Sequence, residues 1–133
     1  MRLFLDACVI IYRIEDPVPA NVRLLERLAT LRADSAQIAV SRLSLLECRV
    51  RPLRDGESAL LARYDEFFAA PDVRIVELDA DVVEGATLIR ARTGLRTPDA
   101  LQAASSLALD PRALFLTGDA AFRRVPGLRV ELI

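Results

Sequence analysis

The stretch RLFLDACVIIYRI, residues 2–14, decides the fold that we expect for this chain. Residues 2–5 are an apolar run suited to a buried strand, and the residues after Asp6 continue as a helix through Ile14. A strand that leads directly into a helix is typical of a parallel sheet, because parallel neighbours need a long crossover connection. Asp6 therefore follows the first strand of a predicted parallel sheet.

The same alternation of strand and helix runs through the rest of the sequence. Further strands are predicted over residues 37–40, 73–78, 113–116 and 128–132. Helices are predicted between Pro19 and Arg32, after Ser41, along the apolar stripe from Leu60 to Phe68, and over residues 79–93 and 97–109. We therefore expect an α/β fold of three layers, in which a parallel sheet of about five strands is covered by helices on both faces.

Caps and prolines predict where the first helices begin and end. Asp16-Pro17 should end the first helix, and Ser41 should cap the helix after the second strand. That helix should stop before Pro52, since proline disfavours helical backbone at the residue ahead of it. The residues that we expect to face inward on it are Leu43, Leu46 and Val50.

Length and charge limit the possible functions. The 133 residues and mass of 14.7 kDa fit a single domain, residues 1–133, and a hydrophobic share of 53% supplies a core. With 18 Lys+Arg against 19 Asp+Glu the net charge is -1, so any contact with RNA or DNA must be local. No apolar run approaches the roughly 18 residues that a membrane span needs, which predicts a cytoplasmic protein without membrane contact.

Two residue types are absent, and their absence excludes much chemistry. The chain has 0 His, and all 18 of its basic residues are Arg. Ser-His-Asp and Cys-His nucleophiles, Cys/His zinc clusters, Walker-type phosphate loops and Schiff bases are therefore excluded. Because Arg stays protonated, proton chemistry is left to carboxylates, a perturbed thiol or metal-bound water. The spacing of Cys8 and Cys48 suits neither a disulfide framework nor a metal cluster, and we expect buried free thiols.

Three acids are predicted to meet at one edge of the sheet. Asp6 follows the first strand, Asp119 follows the fourth, and Glu47 lies on the helix entered from the second. Two carboxylates about 5 Å apart repel by roughly 3 kcal/mol at an effective dielectric near 20, so such a cluster needs a counter-charge. An acidic pocket of oxygen ligands suits Mg²⁺, with Mn²⁺ as a possible substitute. Such an ion activates water, which indicates hydrolytic phosphoryl transfer.

Each acid also has a plain structural explanation. Asp6 and Asp99 could serve helix N-termini. Asp119 could stabilise its turn, and Glu47 could be a solvated helix residue. Asp99 stands in the first turn of a helix that we expect Thr97 to cap, and this chain position does not by itself place it at the acidic edge. An Arg could also supply the counter-charge in place of a metal ion.

Four segments in order resemble the PIN-domain ribonucleases and, more narrowly, the VapC-type toxins of bacterial toxin–antitoxin pairs. The segments that carry the resemblance are LDACVI at 5–10, SRLSLLE at 41–47, TPDAL at 97–101, and TGD at 117–119 with Phe122. The resemblance implies the strand order 3-2-1-4-5. It also implies one metal site formed by Asp6, Glu47, Asp99 and Asp119, with the hydroxyl of Thr117 beside it.

The resemblance further implies cleavage of single-stranded or looped RNA, homodimerisation, and inhibition by a cognate antitoxin protein. One or two Mg²⁺ ions would orient water for attack on an RNA phosphodiester, leaving a 5′-phosphate and a 3′-hydroxyl. The candidates for docking RNA phosphates are Arg90, Arg92, Arg96, Arg123 and Arg124. The sequence departs from the family pattern at Cys8, where Ser, Asn or Thr is more common, and at Ala121, near which some members have a further acid.

Two other hypotheses remain open at this point. A covalent aspartyl-phosphate enzyme would also carry a nucleophilic acid after its first strand, as Asp6 is, but here Cys8 replaces the second Asp of such phosphatases and no Lys is present. A catalytically degenerate PIN-fold module that only binds proteins is the stronger alternative. The hydrophobic share and the mean hydropathy of +0.27 indicate surface covered by partners, which this module and the toxin both predict. Binding of a divalent ion would distinguish them.

Overall fold

The computed structural model describes residues 1–15 and 21–133. Within them the strands are β1 (Arg2–Leu5), β2 (Gln37–Ser41), β3 (Val73–Val76), β4 (Leu114–Thr117) and β5 (Arg129–Leu132). The helices are α1 (Ala7–Glu15), α2 (Asn21–Ala33), α3 (Arg42–Arg54), α4 (Ser58–Ala69), α5 (Ala80–Thr93) and α6 (Thr97–Leu109), and a 3₁₀ helix, Ala120–Arg124, follows β4. None of these helices has both the length and the hydrophobicity needed to cross a membrane. The helix end expected at Asp16-Pro17 and the start expected at Pro19 lie outside the described residues.

The five strands form one parallel sheet in the order β3-β2-β1-β4-β5, which confirms both the α/β class and the expected strand order. In the central strand β1, Leu3 pairs with Ile38 of β2 on one side and with Leu114 of β4 on the other. Because all strands run in the same direction, their carboxyl ends lie at one edge of the sheet. We call this edge the carboxyl edge, and the loops that leave it are where ligands bind in such folds.

Apolar cores on both faces of the sheet give the fold three layers. The side chains of Leu3 and Leu5 lie in the core beneath α1, α2 and α4, together with the fully buried ring of Tyr64. Phe4 points to the opposite face, where it stacks on Phe115 with 5.6 Å between ring centroids. The helices α5 and α6 cover that second face. This alternation along β1 is why a continuous apolar run marks a strand that is buried on both sides.

Helix α3 contradicts the prediction for its end and for its buried face. It continues through Pro52 to Arg54, and Leu46 and Val50, which were expected to face inward, are 62% and 55% exposed. The residues that it buries are Ser44, Leu45, Cys48 and Pro52. Apolar spacing selected the wrong face because the polar Ser44 finds a hydrogen-bond partner inside. Pro52 removes one helical hydrogen bond, the one that its N–H would have donated to the carbonyl of Cys48, and the helix ends two residues later.

The capping residue predicted for α3 is confirmed, whereas the one predicted for α6 is wrong. Ser41 caps α3 as predicted, since its Oγ accepts the N–H of Leu43 at 3.1 Å. On α6 the expected cap is wrong by one residue, because Thr97 is the first helical residue and Arg96 occupies the capping position without a side-chain hydrogen bond. The hydroxyl of Thr97 instead accepts from the guanidinium of Arg90 at 2.5 Å.

Candidate active site at the carboxyl edge

Asp6 is a buried acid at the junction of β1 and α1, with 8% of its surface exposed. Its Oδ1 accepts the N–H of Ala7 at 2.9 Å, and its Oδ2 accepts the hydroxyl of Thr117 at 2.7 Å. Its backbone N–H donates to the carbonyl of Leu116 at 3.0 Å, which ties it to β4. These bonds hold the carboxylate in one orientation at the carboxyl edge.

Thr117 links two acids through one buried hydroxyl at the end of β4. Its Oγ donates to Asp6 and accepts the backbone N–H of Asp119 at 3.1 Å. Asp119 lies in the turn after β4, where its Oδ1 accepts the N–H of Ala121 at 2.8 Å and so caps the 3₁₀ helix. The plain explanation for Asp119, that it stabilises its turn, is therefore correct, and the same turn brings the residue to the carboxyl edge.

Glu47 is a half-buried acid on α3 that is held by an amide on α6. The Nε2 of Gln102 donates to Glu47 Oε1 and to Ser44 Oγ, each at 2.9 Å. Gln102 was not among the site residues predicted from the sequence. Its signal was a polar residue in the Ala/Leu-rich helix 97–109, three positions after Asp99 and hence on the same face of that helix.

Asp99 lies in the first turn of α6 and is partly buried. The nearest ion pair is with Arg96, whose Nε is 3.9 Å from Asp99 Oδ2. Because the side chain of Arg96 is 86% exposed and the contact is long, this arginine does not occupy the space between the acids. The sequence left open whether an arginine supplies a counter-charge among the acids. Arg96 does not supply it.

The carboxylates act on one another electrostatically. Burial is the largest cause that raises the pKa of Asp6, Glu47 and Asp99 above their ordinary values, and hydrogen bonds from Thr117 and Gln102 partly oppose it for the first two. The charge of Asp99 raises the pKa of Asp6 further, and the charges of Asp6 and Asp99 do the same for Glu47. The charge of Asp119 raises the pKa of Asp99. Asp99 is therefore within electrostatic range of each of the other three acids.

The chemistry of these donors fits a hard divalent cation. The groups at the edge are carboxylate and hydroxyl oxygens, and the chain contains no His or Lys. Across residues 1–15 and 21–133, no three acidic, Cys or His side chains stand close enough to form a ready-made metal cage. Mg²⁺ does not require one, because it keeps several water ligands and is commonly held by one or two carboxylates.

Cys8 and Cys48 are free thiols, as predicted, but only Cys48 is buried; Cys8 is partly exposed and lies against the acids. The Sγ of Cys8 is 3.4 Å from Asp6 Oδ2 and 3.4 Å from the N–H of Gly118, which donates to it. Burial, followed by the charge of Asp6, raises the pKa of Cys8 to about 12, so the group is a neutral thiol that can donate to the carboxylate. It therefore serves as a weak donor where the family more often has a hydroxyl or an amide.

Comparisons with known proteins agree with this geometry. The family model of the PIN domain matches residues 3–128. The fold is similar to that of VapBC2 from Rickettsia felis bound to a DNA fragment from its promoter, with 21% identity, a TM-score of 0.78, and coverage of 99% of this chain and 98% of that chain. It is also similar to DNA-bound VapBC from Salmonella typhimurium, with 18% identity, a TM-score of 0.74, and coverage of 98% and 97%. VapBC-1 from nontypeable Haemophilus influenzae gives 17% identity, a TM-score of 0.75, and coverage of 99% and 98%.

No curated protein gives a significant match to this sequence. At 17–21% identity, the solved structures establish a common fold. The family model spans most of the chain, from β1 to the residue before β5, and includes all four acids and Thr117. On this match, the chain belongs to the PIN domain family.

Proposed function

We propose that this protein is a Mg²⁺-dependent endoribonuclease and the toxin of a type II toxin–antitoxin system. One observation carries the proposal: at the carboxyl edge Asp99 is coupled by charge to Asp6, Glu47 and Asp119, which come from separate parts of the chain. A fold gains no stability from such repulsion, so the cluster is best explained by a cation that it binds in use. The toxin role rests on the family and on the structural neighbours, which are toxin–antitoxin complexes.

The four carboxylates of Asp6, Glu47, Asp99 and Asp119 would hold Mg²⁺, with Mn²⁺ as a substitute. When bound, the ion would polarise a phosphoryl oxygen and make water a better nucleophile, which is chemistry that no side chain here supplies alone. The hydroxyl of Thr117 would fix the orientation of the Asp6 carboxylate by its 2.7 Å hydrogen bond. The rigid placement of these oxygens before the substrate arrives would lower the cost of reorganisation during reaction.

Arginines near the acids would bind the RNA backbone. Arg123 and Arg124 are exposed on the 3₁₀ helix that Asp119 caps, and Arg96 is 86% exposed beside Asp99. Phosphates docked on either side of the acids would place a phosphodiester over them. Since the net charge of the chain is -1, this local positive charge is what would attract RNA. RNA is present in the cytoplasm, where we expect the protein to act.

We propose a second copy of this chain as one partner, on the exposed face of α3. Leu46, Val50 and Leu53 recur there at helical spacing and are 62%, 55% and 68% exposed. We call these three residues the α3 stripe. An apolar stripe on one helix can pair with its own copy about a two-fold axis, which removes both from water. This surface would also account for the high hydrophobic share of the sequence.

The antitoxin is the other partner that we propose. A groove between α1, α2 and α4 has an apolar floor that includes Leu28 and Phe67, and Arg13, Arg32 and Arg63 line it. This chemistry suits an extended peptide with apolar and acidic side chains. Co-expression with the protein encoded beside this gene, followed by co-purification, tests the assignment. Failure of any such neighbour to bind would remove the antitoxin part of the proposal.

The nuclease proposal is tested by incubating the purified protein with single-stranded RNA in Mg²⁺, in Mn²⁺ and in EDTA. We expect cleavage with either ion, none with EDTA, and products with a 5′-phosphate and a 3′-hydroxyl. Products with a 2′,3′-cyclic phosphate, or equal cleavage in EDTA, would contradict a metal-activated water. No cleavage of any RNA, with no divalent ion bound, would favour a module that only binds proteins.

A further inference from the structure

We infer that Gln102 is a positioning residue that fixes the carboxylate of Glu47 for metal binding. The inference rests on the proposed function of the same site, and it adds a residue that the acidic pattern of the sequence does not contain. Gln102 lies on α6, in the core between α6 and α3, and is 1% exposed.

One amide nitrogen joins two helices at this point. The Nε2 of Gln102 has two N–H groups, and its acceptors are Ser44 Oγ and Glu47 Oε1, both at 2.9 Å. Ser44 and Glu47 are three residues apart on α3 and therefore share a face. Gln102 stands in the same relation to Asp99 on α6. The amide thus connects the carboxylate of Glu47 to α6. This helix also carries Asp99, which is coupled by charge to the other three acids.

The orientation of the amide follows from the charge of its partner. An ionised carboxylate only accepts hydrogen bonds, so the nitrogen of Gln102 and not its oxygen must face Glu47. The oxygen is then left buried, and Gln102 Oε1 has no hydrogen-bond partner among the described residues. A buried acceptor without a partner is costly. A residue that served only to fill this space would be apolar, so what the amide contributes is its pair of hydrogen bonds to α3, one of which reaches the carboxylate of Glu47.

A neighbouring polar residue provides a contrast. Ser105 is also buried on α6, and its hydroxyl contacts Leu101 O at 2.7 Å and Ser41 Oγ at 3.3 Å. Its hydrogen bonds are complete without any acid of the site. Replacing Ser105 therefore removes a buried hydrogen bond between α6 and Ser41, the residue that caps α3, but leaves Glu47 untouched.

The test uses Gln102→Met, which keeps the approximate volume, removes both donors and also removes the unpartnered oxygen. Its melting temperature checks that it folds, and Ser105→Ala is the matched control. Calorimetric titration of Mn²⁺ measures metal binding without RNA. We expect Gln102→Met to weaken Mn²⁺ binding by about tenfold, within the range for residues that orient metal ligands, and Ser105→Ala to leave it unchanged.

Two further measurements separate positioning from packing. In a Glu47→Gln background, Gln102→Met should weaken Mn²⁺ binding no further, because its effect acts through Glu47. In the metal-free protein, the side-chain amide NMR signals of Gln102 should shift on Glu47→Gln and not on Ser105→Ala. In RNA cleavage, Gln102→Met should raise the Mg²⁺ concentration needed for half-maximal rate while the KM for RNA stays the same.

Unchanged Mn²⁺ affinity in a folded Gln102→Met protein, or an equal loss with and without the Glu47 carboxylate, overturns the inference. In either case, the proposed function still stands if the unsubstituted protein cleaves RNA, and only the inference about Gln102 fails. If the protein binds Mn²⁺ through Glu47, with an affinity that depends on Gln102, but cleaves no RNA, the inference stands and the nuclease proposal fails. A protein that binds no Mn²⁺ overturns both.

Discussion

The hydroxyl of Thr117 lies 2.7 Å from Asp6 Oδ2 and donates to it, while the same oxygen accepts the backbone N–H of Asp119 at 3.1 Å. Thr117 is fully buried at the end of β4, next to the central strand. A single side chain therefore sets the position of one acid relative to the turn that carries another. Thr117 therefore makes hydrogen bonds to two of the four acids, one to the carboxylate of Asp6 and one to the backbone of Asp119.

Thr117→Val should reduce RNA cleavage by roughly tenfold or more, because it preserves the shape of the side chain and removes both hydrogen bonds. It should also cost about 1–3 kcal/mol of unfolding free energy, since a buried carboxylate loses a donor. Cleavage rates and urea denaturation measure the two effects. Thr117→Ser, which keeps the hydroxyl, should stay close to the unsubstituted protein. Full activity in Thr117→Val would show that this hydrogen bond is dispensable.

Asp6→Asn should make the metal-free protein more stable at neutral pH. Burial raises the pKa of Asp6 above its ordinary value of 3.8, so the native state holds the proton more tightly than the unfolded state. The contribution of Asp6 to stability therefore falls as the pH rises from about 3.8 through its folded pKa, and stays unfavourable above it. We expect a gain of about 1 kcal/mol, or roughly 3 °C in Tm, for Asp6→Asn at pH 8 in EDTA.

The difference in stability between Asp6→Asn and the unsubstituted protein should shrink as the pH is lowered toward 3.8, because the native carboxyl takes up its proton at a higher pH than the unfolded one. Thermal melts in EDTA across this range measure it. A variant that is less stable than the unsubstituted protein at pH 8 would mean that the ionised carboxylate stabilises the fold, which is the opposite of the effect predicted from its burial.

Replacing Arg123 and Arg124 together with Gln should weaken RNA binding and make it less sensitive to salt. Each lost phosphate contact lowers the slope of log K against log salt by about 0.7 for single-stranded RNA, so the double variant should lose roughly 1.4. Arg23→Gln with Arg74→Gln is the matched control, since these exposed arginines lie on α2 and β3, away from the acidic turn. An equal salt slope in both double variants would remove the 3₁₀-helix arginines from the RNA site.

Leu46→Glu with Leu53→Glu should convert a dimer into a monomer. Both side chains are exposed on α3, so unfolding free energy should change by no more than about 0.5 kcal/mol per site while the apolar contact between copies is lost. Light scattering should give twice the 14.7 kDa chain mass for the unsubstituted protein and 14.7 kDa for the variant. The matched control is Val83→Glu with Leu88→Glu, exposed apolar residues of α5. A dimer that persists without the α3 stripe would place the interface elsewhere.

Most of the fold could be predicted because strand and helix alternate clearly in the sequence. The run before Asp6 is apolar throughout, as a strand buried on both faces must be, and Ser41 caps α3 as its chemistry predicts. The strand order came only from the family resemblance, since spacing along the chain does not say which strands are neighbours. The predictions for the end and the buried face of α3 were wrong, because a local pattern of apolar residues does not reveal a hydrogen-bond partner on another helix.

The candidate site could be predicted only in part for the same physical reason. Asp6 and Asp119 directly follow strands, so a parallel sheet brings them to one edge. Asp99 begins a helix that leads away from that edge along the chain, and its place depends on how α6 packs across the sheet. Gln102 has no motif of its own, and its role is visible only when its amide is seen between α6 and α3.

Asp99→Asn is the sharpest test of whether four distant acids form one metal site for RNA cleavage. Asp99 is coupled by charge to the other three acids, yet chain position alone did not place it with them. In saturating Mg²⁺, the folded variant should cleave RNA at least about 100-fold more slowly than the unsubstituted protein. Asp34→Asn, an exposed acid at the opposite edge of the sheet, should retain full activity. Undiminished cleavage by folded Asp99→Asn would show that the four acids do not form one metal site for RNA cleavage.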